Sequence, residues 1–174
     1  YVGQTATKTA RVVKRAVGGV FFIDEAYSLM GDNFGQEATN TILPMLLDYK
    51  GKMVCIAAGY PREIRQWIDT NSGLESRFTK VIHFEDYNPD ELAQIFRMKA
   101  KKDKLTLTPE AENAMRVYFT DLYNRRERNF ANAREVNNYF DRVKKNQSSR
   151  LRHEMERPDF DPASYSILLP EDMG

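Results

Sequence analysis

The chain opens on an amphipathic pattern. Val12, Val13, Ala16 and Val17 recur at helical spacing while Lys8, Arg11, Lys14 and Arg15 mark a wet face, which predicts a helix over 5–17. Gly18-Gly19 stops it. Val20-Phe21-Phe22-Ile23 follows, a short apolar run of β-branched and aromatic residues, and predicts a strand covered on both faces. Residues 36–48 repeat Ala38, Ile42 and Leu46 at helical period, with Pro44 as a kink or a boundary. A second buried strand is expected over 53–58, ended by Gly59 and Pro61. A short helix over 62–69, a turn at Asn71-Ser72-Gly73 and a third strand over 80–85 complete this half.

After Asn88-Pro89 the pattern changes. Residues 90–102 are amphipathic, with Leu92, Ile95, Phe96 and Met98 as the apolar face. Thr108-Pro109-Glu110 supplies an N-cap, a proline at the first helical position and an acidic first turn. The helix it opens carries Ala111, Met115 and Phe119 inward, with Ala114 and Leu122 beside them. A third helix is expected from about Asn132 to His153, and the proline-bearing stretch 157–174 reads as a tail with a short strand at 166–169. Strands alternating with helices, then a helical block, give the class α/β followed by all-α. The divisions expected are 1–88 for the α/β part, 89–156 for the helical part and 157–174 for the tail. Trp67, Phe78, Phe84 and Phe96 are expected in the core, and Cys55 as a buried, inert thiol.

Composition narrows the function classes. The 174 residues carry 26 basic and 25 acidic side chains, and a net charge of +1 exerts no global pull on nucleic acid or membrane. No apolar run approaches the ~18–20 residues of a membrane span. The first residues lack both a signal peptide's regions and a starting Met, so an internal fragment of a cytoplasmic protein is expected. A single cysteine excludes an internal disulfide and a cysteine-built metal site. His83 and His153 have no ligand-spaced neighbours in sequence, which speaks against zinc. Residues 125–152 hold nine Lys or Arg against three acids. That stripe weighs more toward a solvated face or a subunit contact than toward nucleic acid.

The strongest chemical signal is Asp24-Glu25, two carboxylates at the C-terminal end of an apolar strand, the edge where open α/β sheets bind ligands. In a nucleotide-hydrolysing site Asp24 would hold Mg²⁺ through its water shell, and Glu25 would orient or deprotonate the attacking water. The plainer alternative is that one of them caps the next helix. Gly59-Tyr60-Pro61 ends the second strand, Arg77 closes the turn of Gly73-Leu74-Glu75-Ser76-Arg77-Phe78, and Arg134 stands at the start of the last long helix. Two such arginines could stabilise the charge that develops in phosphoryl transfer, although either one taken singly reads as a surface charge.

YVGQTATKT, GGVFFIDEAYSL, VCIAAGYP, GLESRF and NFANAREV, in that order, resemble the CbxX/CfxQ group of AAA+ ATPases. That group spans red-type Rubisco activase, stage V sporulation protein K and ATPases of type VII secretion. The resemblance implies the distal part of a P-loop NTPase sandwich followed by a helical lid. It implies that Asp24 and Glu25 are the Walker B pair, that Arg77 is an arginine finger acting on a neighbour's ATP, and that Arg134 is the sensor 2 arginine. Tyr1-Val2-Gly3 resembles a central-pore loop that grips a threaded polypeptide. ATP with Mg²⁺, a ring of identical subunits (a hexamer) and a protein substrate follow from the same likeness.

Two departures accompany it. Tyr60 stands near the place of a polar sensor 1 residue, often Asn, and its hydroxyl is the donor available there. Nowhere do the 174 residues contain G-x-x-x-x-G-K-S/T, the phosphate-cradling segment. Losing about four charge-assisted hydrogen bonds at ~1.5–3 kcal/mol each weakens ATP binding by at least ~10⁴-fold, so these residues alone are expected to be inactive. The strand leading into that segment, central in the AAA+ sheet, is missing with it. Another copy or chain could fill the gap, the strands could rearrange, or the sequence could omit a part. Two rival functions remain: a nucleic-acid-dependent ATPase or helicase, suggested by Asp24-Glu25-Ala26, and a non-catalytic AAA-like scaffold module.

Overall fold

A computed structural model describes residues 4–126 and 130–174. The chain divides into two compact units, Tyr1–His83 and Phe84–Gly174.

The first unit begins with helix α1 (Gln4–Arg15), whose Val13 is fully buried. Val12 is exposed, and Val17 lies beyond the end of α1, so the inward stripe of α1 is narrower than its sequence pattern. Strand β1 (Val20–Ile23) pairs in parallel with β2 (Val54–Ala57) in the register Val20↔Val54, Phe21↔Cys55, Phe22↔Ile56 and Ile23↔Ala57. Helix α2 (Asn33–Asp48) makes the crossover between them and contains Pro44 in its interior, so the proline is accommodated within the helix and does not end it. Helix α3 (Pro61–Asp69) follows β2, with Pro61 at its first turn.

Partners along the two strands face the same side, and the two sides differ. Ile23 and Ala57 pack against a core of Ala26, Leu43, Trp67 and Leu74, supplied from β1's exit, α2, α3 and the following helix. Val20, Phe22, Val54 and Ile56 lie on the other side and are exposed, Val54 by 57%. The expectation of strands covered on both faces is therefore corrected: one face of this two-stranded sheet is bare.

Two further readings change. Residues after Asn71 form a short helix, α4 (Ser72–Arg77), capped by the Asn71 side chain, which accepts from the Gly73 N–H at 2.8 Å. The small polar residues that suggest a turn here act as a helix start. The third strand at 80–85 does not form, because a strand needs a neighbour and no described segment pairs with it. Val81, Ile82 and Phe84 are exposed as a result, which removes Phe84 from the core. Trp67 is buried as expected, its ring 5.5 Å from that of half-buried Phe78.

The second unit is helical. Helix α5 (Pro89–Lys102) starts on a capping box in which Asn88 Oδ1 accepts the Glu91 N–H at 3.0 Å and Glu91 Oε2 accepts the Asn88 N–H at 2.8 Å. Helix α6 (Pro109–Asn124) is capped by Thr108, and α7 (Ala133–Glu154) closes the bundle. Leu92, Phe96, Ala111, Met115, Phe119, Val136, Tyr139 and Val143 form its core, whereas Met98 is exposed and Ala93 takes the inward place. Tyr118 and Tyr139 stack at 3.7 Å, and the Tyr139 hydroxyl donates to the Met173 carbonyl at 3.1 Å.

Residues 157–174 pack into this unit. Strand β4 (Ile167–Leu168) pairs in parallel with β3 (Thr106–Leu107), and Leu168 is fully buried. Arg150 on α7 donates from Nε and Nη2 to the two oxygens of buried Asp172, at 2.9 and 3.0 Å. Its Nη1 reaches both oxygens of Glu154 at 3.0 Å, and Nη2 also reaches the Ile167 carbonyl. A two-point guanidinium–carboxylate pair of this kind fixes direction as well as distance.

Candidate functional site

Asp24 and Glu25 leave the end of β1, and the ladder with β2 continues across them. Ala58 N–H donates to the Ile23 carbonyl at 2.9 Å, and Ala26 N–H donates to the Ala58 carbonyl at 3.1 Å. Between these two bonds the chain must bulge, and Glu25 takes φ 48° and ψ 47°, the left-handed region that costs a residue with a Cβ. That kink lets Glu25 N–H donate to Asp24 Oδ1 at 3.1 Å. Glu25 occupies the cap position of the 3-10 turn Ala26–Met30, yet its side chain makes no capping hydrogen bond. The capping reading of Glu25 thus loses its basis. Both carboxylates are exposed, and among the described residues neither forms an ion pair.

The sequence reading missed Tyr27 and the reason for Gly59. Burial, and after it the nearby Glu25 carboxylate, push the Tyr27 pKa up. Its ring stacks on that of Tyr60, 6.4 Å away at 29°. Gly59 lies at φ 159°, and a Cβ there would stand 2.7 Å from Tyr27 Cε1. Gly59 is therefore the gap that lets the Tyr27 ring lie beside that of Tyr60. Gly35 does a similar service on α2: a Cβ would meet the Leu29 carbonyl oxygen at 2.3 Å, so only glycine lets α2 close on the turn that follows Glu25. The signal for Tyr27 was the motif Asp24-Glu25-Ala26-Tyr27 itself.

Arg77 ends α4, half-buried. Its Nε donates to the Leu43 carbonyl of α2 at 3.1 Å, and Nη1 donates to the Gly73 carbonyl at 3.1 Å and to Ser76 Oγ at 2.8 Å. All three acceptors are neutral, and among the described residues Arg77 has no carboxylate partner. A cation held rigidly by neutral oxygens keeps its charge for an external anion. Leu74, on the same helix, packs in one core with Ala26, the residue after Glu25.

In the second unit Arg134 is exposed on the first turn of α7, its N–H bonded to the Ala131 carbonyl at 2.9 Å. Several cations of the 125–152 stripe are engaged internally: Arg125 with Asp121, Lys144 with Asp103, Arg150 with Asp172, and Arg142 over the rings of Tyr118 and Tyr139. Cys55 is half-buried, and burial pushes its thiol up to about 11. Among the described residues no group of three His, Cys, Asp or Glu could hold a metal ion, and no helix is long and apolar enough to cross a membrane. Tyr1, Val2 and Gly3 lie outside the described residues.

Comparison with known proteins gives this arrangement a family. Residues 88–174 match the AAA lid domain. CbbX of Cereibacter sphaeroides is 38% identical over 177 residues, covering 99% of this chain and 56% of CbbX. The chloroplast ribulose bisphosphate carboxylase/oxygenase activase of Cyanidioschyzon merolae is 39% identical over 156 residues, covering 87% of this chain and 52% of its own. The ESX-1 secretion system protein EccA1 of Mycobacterium tuberculosis is 44% identical over 117 residues, covering 64% of this chain and 20% of EccA1. The chain spans about half the length of the first curated relatives it matches. An α/β unit followed by a matched lid makes this chain the distal part of an AAA+ ATPase fold. It belongs to the CbxX/CfxQ family.

Proposed function

We propose that these residues are the part of a ring-forming AAA+ ATPase that hydrolyses ATP through Glu25 and completes a neighbouring subunit's site with Arg77. The observation that carries the reading is the state of the two groups. Glu25 is exposed at a strained strand end with no capping duty, and Arg77 is clamped by three neutral oxygens with its charge unspent.

Asp24 offers hard oxygen donors that fit a hydrated Mg²⁺, which is ordinarily held by one or two carboxylates plus phosphate oxygens. Bound there, the ion would neutralise charge developing on the phosphates. Glu25 would orient or deprotonate the attacking water. Tyr60 would present its hydroxyl from the end of β2, and Arg134 would reach the nucleotide from the lid. The segment G-x-x-x-x-G-K-S/T is absent from the 174 residues, so we read them as not turning over ATP by themselves. The residues Tyr1, Val2 and Gly3 would line the pore of a hexamer. ATP energy would then remodel a protein partner, with the protein itself in the cytoplasm, a role in keeping with a relative named as an activase of another enzyme.

The test is ATP turnover by the protein as its gene encodes it, wild type beside Glu25→Gln. The expected result is loss of hydrolysis with ATP binding retained. A variant that hydrolyses at the wild-type rate overturns the role of Glu25.

A further inference from the structure

Asn132 has φ 47° and ψ −120°, one of three positive-φ residues other than glycine among the described residues. These are the angles of the first central position of a type II′ turn, where a Cβ is crowded and glycine is favoured. The turn is closed, since Arg134 N–H donates to the Ala131 carbonyl at 2.9 Å and Glu135 N–H to the Asn132 carbonyl at 3.0 Å. Arg134 therefore hangs from the far side of the turn that Asn132 bends.

Strain of this kind persists where the surroundings over-determine it. Here the Asn132 amide does so. Nδ2 donates to Asp86 Oδ1 at 2.6 Å, and Oδ1 accepts the Tyr87 backbone N–H at 2.8 Å. Asp86 is also 3.7 Å from Arg126 Nε. Asp86 and Tyr87 lie on the stretch by which the chain, having entered the second unit at Phe84, runs into the capping box at Asn88. Both ends of one short amide are thus fixed to the entering chain, while its backbone bends the turn that presents Arg134.

We propose that Asn132 is a positioning residue for Arg134, tying the entering chain at Asp86-Tyr87 to the first turn of α7 so that the place of Arg134 follows the chain at that point. The proposal rests on the reading of Arg134 as a nucleotide-sensing arginine. By linkage, anion contact at Arg134 would in turn bias the entering chain.

The test uses the protein as its gene encodes it and reads KM for ATP and kcat for wild type, Asn132→Gly, Arg134→Ala and the double variant. Glycine suits the backbone angles and removes only the tie. Asn132→Gly should raise KM for ATP on the order of tenfold, as a misplaced positioning contact does. The double variant should be no worse than Arg134→Ala alone, because the two residues act through one contact. Asn132→Asp, which sets a second carboxylate against Asp86, should show the same loss, and adding Asp86→Asn should restore much of it. That rescue pair carries the comparison should the glycine variant fail to fold. A wild-type KM for Asn132→Gly, an additive double variant or a rescue pair without effect overturns the proposal while leaving Arg134 in place. A wild-type KM for Arg134→Ala overturns the sensing role and the proposal together.

Discussion

Arg77 Nε donates to the main-chain carbonyl of Leu43, 3.1 Å away on a different helix. The bond joins the end of α4 to the middle of α2 and uses one edge of a planar fork to hold the rest in place. Lysine keeps the charge at this position but has neither the fork nor its rigidity. Arg77→Lys should therefore cost only about 1 kcal/mol of stability, the usual net worth of a hydrogen bond. Turnover should fall by about 100-fold or more, given what an arginine finger contributes. Urea unfolding and a steady-state ATPase assay check the two halves, and near-wild-type turnover would remove Arg77 from the mechanism.

The Arg150–Asp172 pair holds the C-terminal segment, and both partners are desolvated, with side chains 9% and 1% exposed. Without Asp172, Arg150 keeps Glu154 but loses its two-point hold on the C-terminal segment. Asp172→Ala should destabilise the chain by about 1.5–3 kcal/mol. Hydrogen exchange should show β3 and β4 losing protection together. A loss below about 1 kcal/mol would mean that the segment is held by its other contacts, Leu168, Met173 and the Tyr139 hydroxyl among them.

Glu112 accepts from Arg97 Nε at 2.9 Å and from Arg116 Nε at 3.2 Å, and the Arg97 hydrogen bond is the main cause holding its carboxyl below the ordinary value of 4.5. A carboxylate with a depressed folded-state pKa stabilises fully above the unfolded value and loses that contribution as pH falls through the folded one. The stability gap between wild type and Glu112→Gln should be constant from pH 7 to the ordinary carboxylate range and shrink below it. Denaturant midpoints across that range decide the matter. An equal gap at both ends would show that the pair contributes through packing.

Apolar periodicity located α1, β1, α2, β2, α3 and the three lid helices, because each buries a face against a neighbour within its own unit. It misread features that depend on a partner elsewhere. Residues 80–85 read as a strand, yet pairing makes a strand, and among the described residues Val81 has no ladder to join. Val20 and Phe22 are as apolar as Phe21 and Ile23, so composition alone did not say which face is covered. The proline-bearing end concealed Leu168 and Asp172, whose burial rests on Arg150 far back in the chain. At the candidate site the charged groups were legible as motif members. Their neighbours, Tyr27 and Gly59 near Glu25 and Asn132 before Arg134, were not, since backbone angle and close approach set those places.

The central claim is that Glu25 and Arg77 act on ATP from different subunits. The most direct measurement mixes Glu25→Gln protein with Arg77→Ala protein, each expected to be inactive by itself, and follows ATP turnover against mixing ratio. A site built from the Glu25 of one subunit and the Arg77 of the next is intact wherever an Arg77→Ala subunit supplies Glu25 and a Glu25→Gln neighbour supplies Arg77. Activity should therefore appear on mixing and peak near equal proportions. Mixtures that stay inactive at every ratio, while both proteins still assemble together, would contradict the account.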